Sequence, residues 1–187
     1  TIRRTIGSTN ANTPSARVTQ PLEVEWFGAV GDGVADDTSA ITAALAAAST
    51  NGIVLFRPGK IYLVTSQIAI PSNNMVLLGY GATITSATTA QTKRFLFSSK
   101  IRGAIRGLRF IGLTGGATGL GEGIVEILNS QEIMVVDCRF SGTDKNGVFI
   151  SGTSTRCEIS NNIFNANFCA ILSDDDTVNQ PTFIRII

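Results

Sequence analysis

The sequence repeats one short pattern, as IRGLRF (residues 105–110), VVDCRF (residues 135–140) and ISNNIF (residues 159–164). The phenylalanines that end the three stretches are 30 and 24 residues apart. Self-similarity at a period of roughly 20 to 50 residues is typical of solenoids, in which each repeat packs on its neighbours. The pattern therefore predicts that Phe110, Phe140 and Phe164 stack in successive turns of a solenoid.

The third residue before each phenylalanine predicts how the chain bends. This residue is Gly107, Asp137 or Asn161, and these types accept the left-handed αL conformation more readily than most residues do. One bent residue at a constant place lets each strand stay in register with the strand of the next turn. We therefore predict an all-β fold, a right-handed parallel β-helix. Asn162 follows the last bend on an inward position, so its amide is expected to hydrogen-bond to the backbone of adjacent turns.

The segment WFGAVGDGVADDTSAITAALAAA (residues 26–48) predicts a glycine-rich turn followed by a short amphipathic helix. Its apolar residues follow the helical spacing i, i+3, i+4 and i+7: Ile41, Ala44, Leu45 and Ala48. Asp36 and Asp37 suit the N-terminus of a helix, so helix capping and turn bonding are favoured over a catalytic role for this pair. We expect the helix near residues 37–49.

This region resembles the start of the pectate-lyase-like right-handed parallel β-helix proteins, a superfamily that includes polygalacturonases and phage tailspike depolymerases. The resemblance is carried by FGAVGDGVADDTSAI (residues 27–41), LFRPGKIYLV (residues 55–64) and IPSNNMVLLGYGATI (residues 70–84). It implies that the helix caps the first turns of the β-helix. The active-site pattern of polygalacturonases, with its Gly-His-Gly element, is not reproduced because the chain has no histidine.

Composition restricts the classes of partner. Only 16% of the 187 residues are charged and the net charge is +1, so we expect no nucleic-acid partner. No apolar run reaches membrane-spanning length, so no membrane insertion is expected. The cysteines lack metal-ligand spacing, which favours buried reduced thiols. We predict no metal and no cofactor.

The chain divides into two predicted parts. Residues 1–22 have the polar composition of an N-terminal arm or linker, and residues 23–187 form the β-helix domain. The final stretch TFIRII (residues 182–187) is typical of a strand in a further turn. Because an open solenoid end exposes core and unpaired backbone, we expect the natural protein to continue beyond Ile187.

Outward positions of the repeat carry the candidate substrate-binding residues. Arg109 and Arg139 occupy the same position in successive turns, so they are expected to project side by side, about 4.8 Å apart. Two stacked cations suit an acidic polymer, and a solvated strand face is the alternative interpretation. We predict that both arginines bind substrate.

The candidate catalytic carboxylates come from one dense acidic cluster, Asp174, Asp175 and Asp176. Glu126, which is expected to point outward from an earlier turn, is the candidate partner for glycoside hydrolysis. In an inter-subunit groove, Asp144 or Glu122 could take that place instead. A turn or a Ca²⁺ loop is the alternative interpretation of the aspartate cluster.

Met134, Val136 and Phe149 lie on outward positions of strands that are apolar on both faces, so something must cover them. We predict lateral packing in a homotrimer, as in the tailspikes that the chain resembles. The alternative cover is the N-terminal arm or the glycine-rich segment 112–123.

The resemblance implies a tailspike-like depolymerase, a glycoside hydrolase or a polysaccharide lyase, that acts on bacterial surface polysaccharide. Such a protein would lie in a virion tail or outside the cell. The alternative is a non-catalytic structural or receptor-binding segment of a viral or surface fibre.

Overall fold

The computed structural model describes residues 20–48, 52–86, 95–111, 123–142, 146–165, 169–173 and 185–186. Its strands, numbered along the chain, form three parallel sheets. Sheet A contains β1 (Leu22–Glu23), β3 (Ile53–Leu55), β6 (Val76–Leu78), β9 (Ile101–Arg106), β12 (Gln131–Val136), β15 (Glu158–Ser160) and β18 (Arg185–Ile186). Sheet B contains β2 (Asp32–Asp36), β4 (Ile61–Leu63), β7 (Thr83–Thr85), β10 (Arg109–Ile111), β13 (Arg139–Ser141) and β16 (Ile163–Asn165). Sheet C contains β5 (Ile68–Ala69), β8 (Phe95–Ser98), β11 (Gly123–Leu128), β14 (Asn146–Ser151) and β17 (Ile171–Ser173).

From β3 onward the chain visits sheets A, B and C in turn, and from β6 onward each new strand pairs in parallel with its counterpart in the preceding turn. A chain that repeats this circuit builds a solenoid whose side chains alternate between a closed core and the surface. The predicted all-β parallel β-helix is therefore confirmed.

The phenylalanine repeat forms a column inside the solenoid. Phe110 pairs in register with Phe140, and Phe140 pairs with Phe164. The ring centroids are 4.9 Å apart in both pairs, with interplanar angles of 11° and 7°. The stacking predicted from the sequence spacing is confirmed, and it fixes the register of sheet B.

The bend before each phenylalanine lies between sheets A and B. Gly107, Asp137 and Asn161 have φ values of 70°, 57° and 55°, as expected for αL residues. The side chain of Asn162 then links neighbouring turns. Its Oδ1 accepts a hydrogen bond from the Cys138 amide at 2.8 Å, and its Nδ2 donates to the Val135 carbonyl at 2.8 Å. Both predictions for this corner are confirmed.

Helix α1 (Thr38–Ala48) follows a short 3₁₀ helix (Val24–Phe27) and β2 at the N-terminal end of the solenoid. Its buried face, with Ile41, Ala44 and Leu45, belongs to the same core as the strands. The helix is thus the predicted cap; it begins at Thr38, one residue later than expected, and residue 49 lies outside the described residues.

The carboxylates of Asp36 and Asp37 hold the turn before α1. Asp36 accepts hydrogen bonds from the Thr38 amide at 3.0 Å and from the Thr38 hydroxyl at 2.6 Å. Asp37, which is buried, accepts the Val30 amide at 2.7 Å. The pair therefore acts in capping and turn bonding, as the sequence favours.

Two of the three cysteines fit the interpretation of reduced, buried thiols, whereas Cys169 is free but only half-buried. Cys138 and Cys157 are buried and unpaired, and both belong to the core. Burial raises the pKa of the Cys138 thiol to about 12. Within the described part of the chain, no helix is both long and apolar enough to cross a bilayer.

Candidate functional site

The two candidate binding arginines form a ladder on the outer face of sheet B. Arg109 in β10 and Arg139 in β13 are directly paired, and both side chains are exposed. Thr83 precedes them in the same row and Ile163 follows them. Among the residues with described positions, neither arginine forms an ion pair with a carboxylate. The ladder therefore presents two uncompensated positive charges about 4.8 Å apart.

A groove lies on the outer face of sheet A, and several of its lining residues directly precede Arg109 in the sequence. We call it the sheet A groove, and it is lined by Asn74, Val76, Arg102, Gly103, Ala104, Arg106, Glu132 and Met134. It encloses about 400 Å³, which is within the range of small-ligand sites. The sequence reasoning missed this site.

The floor of the sheet A groove is apolar. Val76, Ala104 and Met134 are paired in register across β6, β9 and β12. Because alanine is the smallest of the three side chains, the central strand is the lowest part of the row. The groove is therefore deepest over Ala104.

The rim of the sheet A groove is mainly cationic. Arg102 and Arg106 are exposed on either side of Ala104 in β9. The Arg106 guanidinium lies 3.8 Å from the Met134 sulfur, so it rests beside the floor. Glu132 brings an opposite charge to the rim, but its carboxylate binds Arg156 at 2.8 Å. The remaining charge in the groove is positive.

These cations belong to one stretch of sequence, KIRGAIRGLRF (residues 100–110), which contains four basic residues and no acidic one. We call its four cations the cationic belt: Lys100, Arg102, Arg106 and Arg109. The belt runs along β9 in sheet A and turns the corner at Gly107 into β10 of sheet B. It meets the arginine ladder at Arg109. This local run of like charge was the sequence signal that could have identified the groove.

Glu126 lies on the outer side of sheet C, where the alternation of β11 predicts it, but it is not accessible. Its neighbours in register are Leu96 in β8 and Phe149 in β14. Glu126 is 2% exposed and Phe149 is 5% exposed within the single chain. A role for this carboxylate on substrate therefore requires a change that uncovers it.

The other candidate carboxylates fall outside the described residues. They are Asp174, Asp175, Asp176 and the inter-subunit alternatives Asp144 and Glu122. The structure thus brings Arg109 and Arg139 together, and it does not test the pairing of Glu126 with the aspartate cluster.

A second carboxylate cluster lies at the N-terminal end and has a structural role. The Arg57 guanidinium pairs with Glu23 and lies 3.8 Å from Glu25. The Tyr62 hydroxyl donates a hydrogen bond to Glu25 and accepts one from the Arg57 amide. Burial and the bond to Glu25 raise the pKa of Tyr62. These contacts join β1 and the 3₁₀ helix to the first full turn.

The family model for rhamnogalacturonase A/epimerase, pectate lyase-like proteins matches residues 22–111. These residues include the cap, the first turns and the whole cationic belt. Residues 22–111, slightly under half of the chain, are therefore similar to the pectate-lyase-like β-helix superfamily. The match covers the region whose motifs resemble this superfamily in the sequence, and the observed solenoid agrees with it.

Two curated proteins are similar to parts of this chain. It is 28% identical over 171 residues to the "Uncharacterized 65.4 kDa protein in cps region" of Klebsiella pneumoniae, covering 79% of this chain and 27% of that protein. It is 50% identical over 52 residues to the "Probable glucan endo-1,3-beta-glucosidase" of Arthroderma benhamiae, covering 28% of this chain and 6% of that protein. The chain therefore spans well under two thirds of the curated relatives it matches.

The fold is shared with PfbA, a surface adhesin of Streptococcus pneumoniae. The TM-score is 0.66 at 22% sequence identity, over 79% of this chain and 39% of the adhesin. At this identity the likeness concerns the fold, and function must be argued from the site.

Proposed function

We propose that this chain is part of a tailspike-like polysaccharide depolymerase and that Arg109 and Arg139 hold an acidic bacterial surface polysaccharide. The observation that carries the proposal is the pair of exposed, in-register guanidinium groups that meet no carboxylate in the described region. Guanidinium groups bind carboxylates through two parallel hydrogen bonds, which a polymer with repeated acidic groups can use several times. The names of the matching family model and of the fungal relative support a polysaccharide as the partner.

Polymer retention tests the contact. Arg109→Ala combined with Arg139→Ala should weaken retention on acidic capsular polymers by about two- to thirtyfold, given roughly 0.2–1 kcal/mol for each exposed ionic contact. Retention of the unaltered protein should fall as salt is added.

The matched control is Arg109→Lys with Arg139→Lys, which keeps both charges but removes the forked donors. It should give intermediate retention on the acidic polymers, and all variants should behave alike on neutral polymers. Equal retention of the unaltered protein and the double alanine variant on acidic polymers would remove these arginines from the contact.

Catalysis, as hydrolysis or elimination, is proposed to use a carboxylate from Asp174, Asp175 or Asp176, with Glu126 as its candidate partner. A positioned acid or base typically contributes about 10²–10⁴-fold to the rate. At least one of the Asp→Asn variants at these positions should therefore reduce the release of new chain ends by that factor. Full rates in all three variants would assign the cluster to a turn or a metal loop.

The second candidate function is a non-catalytic structural or receptor-binding segment of a viral or surface fibre. The burial of Glu126 favours it, because this candidate carboxylate does not face solvent. A chain that is retained on acidic polymers but releases no chain ends, while a longer natural chain does release them, would support this function.

We also propose a homotrimer in a virion tail or outside the cell. Val136 and Phe149 are already covered within one chain, at 6% and 5% exposure. Half-buried Met134 is the remaining apolar residue of the predicted contact, and because it also lines the sheet A groove, a trimer contact over Met134 and ligand binding in that groove would exclude each other. Light scattering at micromolar concentration should give the mass of three chains, and a monomeric mass would refute the assembly.

A further inference from the structure

The sheet A groove has a backbone feature that sets its rim apart. Asn74, Arg102 and Glu132 line the groove, and all three have φ of 56°. Asparagine is common in this αL region, whereas long charged residues are not. At the other corner of sheet A, the αL positions directly after β9, β12 and β15 are filled by Gly107, Asp137 and Asn161, the residue types that suit it. The groove rim thus carries charged side chains where a smaller residue would fit the backbone with less strain.

One of these two charged residues has a partner and the other does not. Glu132 binds Arg156, whose own φ is 54°. Arg102 forms no ion pair with any residue of described position. Its strained backbone and free guanidinium therefore gain nothing from the contacts within this region. An external anion would account for both.

The floor and the second arginine restrict the kind of anion. Arg106 and Arg102 flank Ala104, so an anion between them lies over an apolar surface formed with Val76 and Met134. A free inorganic ion would leave this surface exposed to water. A sugar that carries a carboxylate has an anionic edge for the arginines and an apolar face of C–H groups for the floor. Its hydroxyl groups can pair with the Asn74 amide and with Glu132.

We propose that the sheet A groove is a second carbohydrate site, which holds one carboxylate-bearing sugar between Arg102 and Arg106 with its apolar face on Ala104. The proposal rests on the acidic-polysaccharide contact proposed above and adds a separate site on a different sheet. The cationic belt connects the groove to Arg109, so one polymer can contact both surfaces.

The two methionines of the chain give a direct assay. Met134 lines the groove, whereas Met75 is 0% exposed in the core. In a protein labelled with ¹³C at the methionine methyl groups, trigalacturonate should shift the Met134 resonance and leave Met75 unchanged. The carboxyl-reduced, neutral trisaccharide should shift neither resonance.

Two variants test the geometry. Ala104→Leu fills the floor and Arg102→Ala removes one guanidinium, and each should weaken trigalacturonate binding at Met134 by at least tenfold. Arg109→Ala with Arg139→Ala should leave the Met134 shift intact, because these residues lie on sheet B. An unchanged Met75 resonance in every variant reports that the core remains folded.

The results separate this proposal from the polymer contact. Three results would overturn the groove site: no shift of the Met134 resonance, an equal shift with the neutral trisaccharide, or unchanged affinity in Ala104→Leu. Each would do so even if polymer retention depends on Arg109 and Arg139. The opposite result is a Met134 shift that Ala104→Leu abolishes, together with no retention of the protein on acidic polymers. This result would support the groove site and refute polymer binding by the arginine ladder.

Discussion

Phe140 should be a principal determinant of stability, because it is the middle ring of the aromatic column. It is 0% exposed, and its ring stacks on Phe110 and Phe164 at centroid distances of 4.9 Å. Phe→Ala in a core typically costs about 3–5 kcal/mol, and each aromatic pair adds roughly 0.5–1.5 kcal/mol beyond burial. Phe140→Ala loses two such pairs, so we expect a loss near the top of that range, about 5 kcal/mol.

The matched control is Phe164→Ala, which loses one stacked neighbour from a half-buried position. Its cost should be about 2–3 kcal/mol, since less area leaves water and one pair remains intact. At roughly 2–4 °C per kcal/mol for a chain of this size, Phe140→Ala should lower the unfolding midpoint by about 10–20 °C and Phe164→Ala by about half as much.

Thermal unfolding followed by far-ultraviolet circular dichroism measures both shifts. Phe140→Leu, which keeps most of the volume but removes both stacks, should fall between the unaltered protein and Phe140→Ala. A Phe140→Ala midpoint no lower than that of Phe164→Ala would refute the view that the column holds neighbouring turns together.

Three further predictions concern polar and titratable groups. Asn162→Ala leaves the Cys138 amide and the Val135 carbonyl without their partner, which should lower the free energy of unfolding by about 1–3 kcal/mol. Urea unfolding measures this loss, and an unchanged midpoint would show that water replaces the side-chain amide. Burial raises the pKa of Cys138 from its ordinary value of 9.0 to about 12, so the thiol favours the folded state below pH 9 and this contribution should be lost as pH rises from 9 towards 12. Stability measured across that range should fall less in Cys138→Ala than in the unaltered protein. Hydrogen bonds from Thr38 and Thr65 lower the pKa of Asp36 below its ordinary value of 3.8, so the stability that the ionised carboxylate contributes should be lost as pH falls through that lowered pKa. Asp36→Asn should therefore flatten the acid side of the curve of stability against pH.

The sequence predicted those parts of the fold that depend on local residue type and spacing. Phe110, Phe140 and Phe164 could be aligned because each ends the same short sequence pattern, and the bends could be placed because Gly107 and Asn161 suit αL geometry. The same logic explains why Arg102 was missed. Residue preference gives no reason to place arginine at an αL corner, so its role becomes visible only when the backbone is known.

The candidate site was predicted only in part, for two physical reasons. Alternation along β11 places Glu126 on the outer side of sheet C, but alternation does not report what covers that side. The sheet A groove joins Val76, Ala104 and Met134, which are 28 and 30 residues apart in the chain. Its depth arises from the difference in side-chain size between strands, which appears only once their register is established.

The unequal lengths of the turns have a consequence for how this protein can be altered. Between β10 and β11 the connection takes residues 112–122, whereas between β13 and β14 it takes residues 142–145, yet both pairs of strands keep their register. Doubling the length of a flexible connection costs only about 0.6 kcal/mol of closure entropy. New peptides can therefore be inserted between sheets B and C at little cost, which makes this edge a scaffold for display along the length of the molecule.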